Sequence, residues 1–238
     1  VTVLQIVAAF TAVTLGAAVQ GSVGFGLSLV AVPLLALIEP SLLPGPLLCV
    51  AIVLTLLLTH RERRSIDFFG VAWGLSGRIP GAALGAAALT VMPSDRISLM
   101  FGVLVLAAVV ISMLQIRVRP TAPGLVVAGL LSGFMGTTAA VGGPPIALLL
   151  QHKPGAELRA TLSGFFLVGA SVSLLALATI GRFGVPELWL ALTLLPGILV
   201  GFWISGRTAR ILDRGYSRTV VLALSSAAAV AVILRQVL

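Results

Sequence analysis

The sequence predicts an all-α polytopic membrane protein made of two inverted repeats. Each repeat is expected to be a glycine-broken helical hairpin, re-entrant or two-pass, followed by three transmembrane helices. Three observations carry that prediction. Of the 238 residues, 59% are hydrophobic and 9% charged, too few charges to cover a soluble domain of this size. Apolar runs of about 20 residues, the length that crosses a bilayer core, follow one another along the chain. Finally, the stretch GAAVQGSVGFGLSLVAVP (16–33) returns as GLLSGFMGTTAAVGGPP (129–145). A transmembrane β-barrel would alternate polar and apolar residues, and that pattern is absent.

A shift of 112 positions sets Gly21 on Gly133, Gly24 on Gly136 and Pro33 on Pro145. A shift of 116 sets Pro80 on Pro196, Gly81 on Gly197 and Gly85 on Gly201. The halves are therefore read as 1–119 and 120–238 of one integral membrane domain. Val1–Ile38 holds no charged residue. As one helix it would run roughly 57 Å, nearly twice a hydrocarbon core of about 30 Å, so it must fold back or cross twice. Leu42–Thr59, the basic turn 60–67, Phe68–Val91, the turn 92–96 and Ile97–Ile116 complete the first half, and RVRPTAP (117–123) joins it to the second. There, Gly124–Gln151 is the broken segment. It is followed by the turn 152–159, Ala160–Ile180, the turn 181–187, Leu188–Gly206, the basic turn 207–218 and Thr219–Val237. The N-terminus lacks the basic start and cleavage site of a signal peptide and reads as the first membrane segment.

Charge orients this scheme. If each half makes an odd number of crossings, eleven basic residues fall on one side and three on the other, Arg78 aside. The positive-inside rule then puts the basic turns in the cytoplasm and both termini outside a bacterial inner membrane. The same parity makes the halves inverted copies, an architecture common among secondary transporters. The net charge of +8, which in a soluble chain would suggest nucleic acid, is read as contact with membrane lipid; no nucleic-acid partner is expected. Exposed glycine ladders would allow a homodimer.

Enzyme chemistry is not expected. Cys49 is the only cysteine, and His60 and His152 are the only histidines, so neither a metal site nor another cofactor is predicted. No Walker A loop, HExxH or GxSxG occurs, and no Ser–His or paired-Asp set suits an intramembrane protease.

Two features could bind a ligand. Helices starting near Gly24–Ser28 and near Gly136–Ala140 would present free N–H groups and positive dipole ends at membrane depth, which makes an anion site. Gly24 and Gly26 provide the first break and Gly136 the second. Ser22, Ser28, Thr137 and Thr138 could add hydroxyls, and Gln20 an amide. A single GxG would more simply be close helix packing, but here the pattern is duplicated in overlong segments. Arg78 is the sharper candidate. It lies mid-span with no central carboxylate in any predicted segment, which leaves a bound anion or backbone carbonyls as its partners. A snorkelling or kink-bracing arginine beside Pro80 is the structural alternative. The position matched to Arg78 by sequence in the second half is Leu194.

GSVGFGLSLVAVPLLALIEP (21–40), GFMGTTAAVGGPPIALLL (133–150) and RATLSGFFLV (159–168) resemble signature segments of the TauE/SafE family of bacterial sulfite and organosulfonate exporters. The resemblance implies a secondary transporter exporting a small sulfur-containing anion by alternating access. An anion channel, or a non-transporting membrane scaffold subunit, would use the same fold.

Overall fold

The computed structural model describes residues 3–113 and 119–212. The predicted last span, Thr219–Val237, and Arg117, Arg214, Arg218 and Arg235 lie outside the described residues. Within the described residues the chain is helical, with no strand. Its α-helices are α1 (Val3–Val23), α2 (Leu27–Ile38), α3 (Gly45–Glu62), α4 (Phe68–Val91), α5 (Ser94–Met113), α6 (Ala122–Ala139), α7 (Gly143–Leu150), α8 (Gly155–Thr179) and α9 (Val185–Leu212). Lipid cannot satisfy backbone polar groups, so helices are what such apolar runs must form. Five of these stretches are long and apolar enough to cross a membrane: Val3–Val23, Gly45–Ser65, Ala122–Ala139, Gly155–Thr179 and Val185–Ala209.

The burial pattern is that of a membrane protein. Leu4, Phe68, Trp73, Leu84, Val110, Leu175, Trp189 and Trp203 face outward, while Arg78, Thr55, Ser132, Thr137 and Ser173 are enclosed. Large apolar side chains dissolve in lipid, and small or polar ones mediate helix contact. Arg207 stacks its guanidinium 3.7 Å from the Trp203 ring centre, a cation–π pair of the kind found at membrane interfaces.

Close packing joins α1 to α9, α4 to α6, and α3 to α8. Glycine makes the first two contacts possible. Side chains at Gly77 and Gly81 would overlap the carbonyls of Val126 and Leu130 on α6, and one at Gly201 would press on Thr14 O of α1. These ladders lie inside the molecule, so they do not supply the exposed dimer surface expected from sequence. The glycine contacts follow a different register from the 116-residue sequence shift. Gly77 sits on Val126 as Gly201 sits on Thr14, and Thr14 lies 112 positions before Val126. Packing thus matches Gly77, rather than Gly85, with Gly201. The packing counterpart of Arg78 becomes Phe202, in place of Leu194.

Two ends of the bundle can be told apart. At the basic end, the turn before α4 meets the turn before α8: Lys153 Nζ contacts Asp67 Oδ2 at 2.9 Å, and Arg159 Nε donates to Glu62 Oε1 at 3.1 Å. At the opposite end Arg182 Nη2 donates to Leu89 O at 3.1 Å. The hairpin α1–α2 opens toward this second end, where Gln5 Nε2 donates to Ile38 O at 3.0 Å. The hairpin α6–α7 opens toward the basic end, into which α7 leads.

Asp67 also caps α4, accepting from Phe69 N at 3.0 Å. Burial raises its carboxyl pKa, but the hydrogen bonds from Lys153 and from the N–H groups of Gly70 and Phe69 outweigh that and hold it below its usual value. Burial lowers the Lys153 pKa, but Asp67 and Glu157 outweigh that and raise it. The pairing therefore stabilises above the unfolded carboxylate pKa and is lost as pH falls through the depressed Asp67 value. It is lost again as pH rises through the raised Lys153 value. Asp67→Asn, which keeps a capping oxygen, is expected to lower the melting temperature by a few degrees at pH 7, equivalent to at most about 1 kcal/mol for a partly exposed pair. Melting curves across pH should show that deficit vanish in acid.

Candidate functional site

Each hairpin turns on a short break. Gly24 N closes α1 onto Gln20 O at 2.7 Å, and Val30 N opens α2 onto Gly26 O at 3.1 Å. Between them, Gly24 (φ 101°) and Gly26 (φ 133°) take up backbone that a side chain would strain. The chain folds back along α1, so Leu27 lies beside Gly16 and α2 begins well inside the bundle. Its first amide, Leu27 N, donates to Gln20 Oε1 at 3.3 Å.

The second break is built differently. α6 ends at Ala139, Ala140 adopts a left-handed conformation (φ 58°), and α7 starts at Gly143. This corrects the expected helix start near Gly136–Ala140. Gly136, Thr137 and Thr138 belong to the last turns of α6 and present no helix N-terminus. α7 is also poor in donors, because Pro144 and Pro145 carry no N–H and leave Gly143 as the free amide of its first turn.

Arg78 makes up for that shortage. Its side chain enters from α4 and is 2% exposed. Nη1 donates to Ser132 Oγ at 2.6 Å and to Ser132 O at 3.3 Å, and Ser132 Oγ in turn donates to Gly142 O at 2.5 Å. The guanidinium lies 5.0 Å from the Phe165 ring centre. Gly136, Gly142 and Gly169 leave the room it occupies, since a Cβ at any of them would press on it. Nε is buried with no hydrogen-bond partner. The ion pairs of the described residues join Arg61 to Glu62, Lys153 to Asp67 and Glu157, and Arg159 to Glu62; none includes Arg78.

Both breaks and Arg78 converge on one cavity of about 40 Å³, room for roughly three water-sized groups. Of the residues singled out from sequence, Gln20, Gly26, Ser28, Arg78 and Gly136 line it. Ser28 and Leu29 contribute the first turn of α2, whose N–H groups have no acceptor within the helix. The other candidates are turned elsewhere. Gly24 packs on Arg159, and Ser22 Oγ pairs with Ala18 O and Thr208 Oγ1. Thr137 Oγ1 donates to Ser173 Oγ, and Thr138 Oγ1 to Phe134 O. Sequence reasoning missed Phe25, Thr55, Gly142, Gly143 and Phe166, which also line it. Only the GFG and GGPP spellings pointed toward three of them.

Arg61, in the basic turn 60–67, and Arg159, in the turn 152–159, are drawn inward. Arg61 Nη2 donates to Gly21 O at 2.6 Å and Nη1 to Ser205 Oγ at 3.0 Å, while Arg159 Nη1 reaches Ser22 O at 3.5 Å. Two cations thus meet the carbonyl end of α1, where the helix dipole favours positive charge. The Arg61 guanidinium lies 5.3 Å from the Phe202 ring centre.

A bundle of apolar-faced helices, five of them long and apolar enough to cross a membrane, is the architecture of a multi-pass membrane protein. The family model described as sulfite exporter TauE/SafE matches residues 8–232, and the chain belongs to that family. No curated protein and no solved structure matches it.

Proposed function

We propose that this chain is a secondary transporter that exports sulfite, or a sulfur oxyanion of similar size, across the bacterial inner membrane. The observation that carries the reading is Arg78, an enclosed charge that among the described residues has no carboxylate partner and an unpartnered Nε, on a cavity walled by the first turn of α2. An intramembrane charge without a counter-ion is expensive unless a ligand supplies one. The cavity suits the four heavy atoms of sulfite better than a long organosulfonate. Arg78 would neutralise the anion, the α2 amides and Ser28 would donate to its oxygens, and Gly143 N would approach from the other break.

The opposite opening of the two hairpins, and the reciprocal packing of α1 on α9 and α4 on α6, support inverted repeats spanning 1–119 and 120–238. The site then lies near mid-depth where the halves meet, and rocking of one half against the other would expose it to each side in turn. The basic end is assigned to the cytoplasm and the N-terminus to the outer side. Export of an anion from a cell that is negative inside gains about 2.3 kcal/mol per charge per 100 mV, so no coupling carboxylate is needed.

Thermal unfolding of the purified protein with sulfite, sulfate, phosphate, taurine, sulfoacetate and a carboxylate tests this. Sulfite at about 100 times its Kd should stabilise by about 2.7 kcal/mol and raise Tm by about 5–10 °C. Indifference to every sulfur oxyanion would overturn the assignment.

A further inference from the structure

A second cavity, of about 130 Å³, lies between the central one and the basic end, and Phe25 and Pro144 line both. Its far wall is formed by Ser112, Gln151 and Leu158, at the end of α5, the end of α7 and the start of α8. Phe25 is the middle residue of the three-residue break in the first hairpin, and its Cβ side packs toward Gly143, the first residue of α7, with Phe166 close by. The ring therefore sits between the vestibule and the helix start on which an anion would rest.

Both neighbours of Phe25 are glycines at positive φ, 101° and 133°. Such residues cross between backbone regions without the Cβ penalty, so the peptides on either side of the ring can rotate while α1 and α2 stay in place. The ring also touches both apolar clusters of the molecule, the large one and the smaller one around Phe165 and Leu162. It has an apolar seat now and apolar wall to move along.

We propose that Phe25 is the door between the central cavity and the basic-end vestibule, and that its bulk sets the upper size of the anion admitted. The inference rests on the transport reading above for its substrate, but not for its geometry. The ring brings no hydrogen bond to the anion, so its removal is expected to widen access.

Two readouts separate these ideas. In a Cys49→Ser background, Ser28→Cys puts a thiol on the central cavity, outside the vestibule lining. A small membrane-impermeant thiosulfonate reagent is applied to vesicles of each orientation. Phe25→Ala is expected to speed labelling at least tenfold from the basic end alone, and Phe25→Leu to give an intermediate rate should the alanine variant fold poorly. Unchanged rates, or equal acceleration from both sides, would overturn the door. In the second readout, Phe25→Ala without the cysteine changes is melted with sulfite and with benzenesulfonate. It should gain a shift with benzenesulfonate that the wild type lacks; a size limit identical to wild type would count against the proposal. Loss of sulfite response in the wild type would overturn the substrate assignment while leaving the labelling result to decide the door.

Discussion

Replacing Arg78 with methionine is expected to leave the empty protein at least as stable as wild type while abolishing its stabilisation by sulfite. The two effects have one cause. A guanidinium at mid-membrane costs about 2.5–3.5 kcal/mol on insertion scales, and among the described residues it recovers its bonds to Ser132 and its contact with Phe165. Methionine keeps the length and apolar bulk of the side chain. Ser132 Oγ retains its acceptor, Gly142 O, so no buried donor is orphaned. Binding should suffer heavily, because removing one member of a buried charge pair costs about 2–5 kcal/mol, a loss of roughly 30-fold or more in affinity. Arg78→Lys keeps the charge but lacks the fork that holds Ser132 and the cavity together, and should fall between. Melting curves with and without sulfite measure both quantities. A large drop in the Tm of empty Arg78→Met would make Arg78 a structural brace.

The second large effect is expected at Gly129. A methyl group there would overlap Gly74 O and come within 3.1 Å of Arg78 N. These are backbone atoms in the middle of α4, so no rotamer can relieve the clash and α4 must part from α6. Gly129→Ala should cost about 3 kcal/mol or more, the upper range for overpacking, or roughly 6–12 °C in Tm. Gly206→Ala is the control, because nothing lies within 4 Å of a Cβ there. Alanine at such a helical site is expected to be neutral or to gain up to about 1 kcal/mol. Similar Tm values for the two variants would refute the close α4–α6 contact. Because α4 carries Arg78, the Gly129 variant should lose sulfite response along with stability.

Much of this was legible in the sequence, for reasons that individual residues make clear. Arg78 stood out because a charge at least ten residues from either end of an apolar run has nowhere polar to go, and the fold indeed encloses it. The first break was readable because GFG leaves a helix no interior that favours continuation. The second was misplaced by several residues because αL geometry fell on Ala140, a residue with no propensity to announce it. The hydroxyls of Ser22, Thr137 and Thr138 bond away from the cavity for a different reason. A helical hydroxyl can satisfy itself on the carbonyl one turn back or on a neighbouring helix, and sequence does not say which. The offset between Gly85 and Gly77 as partner of Gly201 arose because glycine ladders repeat every four residues, so several registers align equally well.

The unequal breaks have an electrical consequence. On the proposed inverted-repeat reading, one half supplies a fixed positive charge through Arg78, whereas the other offers Phe202 at the corresponding place in the packing. If the half carrying Arg78 shifts within the membrane field, the empty carrier moves one positive charge and a carrier loaded with a monoanion moves none. A carrier loaded with divalent sulfite moves one negative charge. Membrane potential would then act on the return step for bisulfite and on both steps for sulfite, at about 2.3 kcal/mol per charge per 100 mV across the full field. The voltage dependence of exchange against net efflux would thus report which protonation state of the anion rides on Arg78.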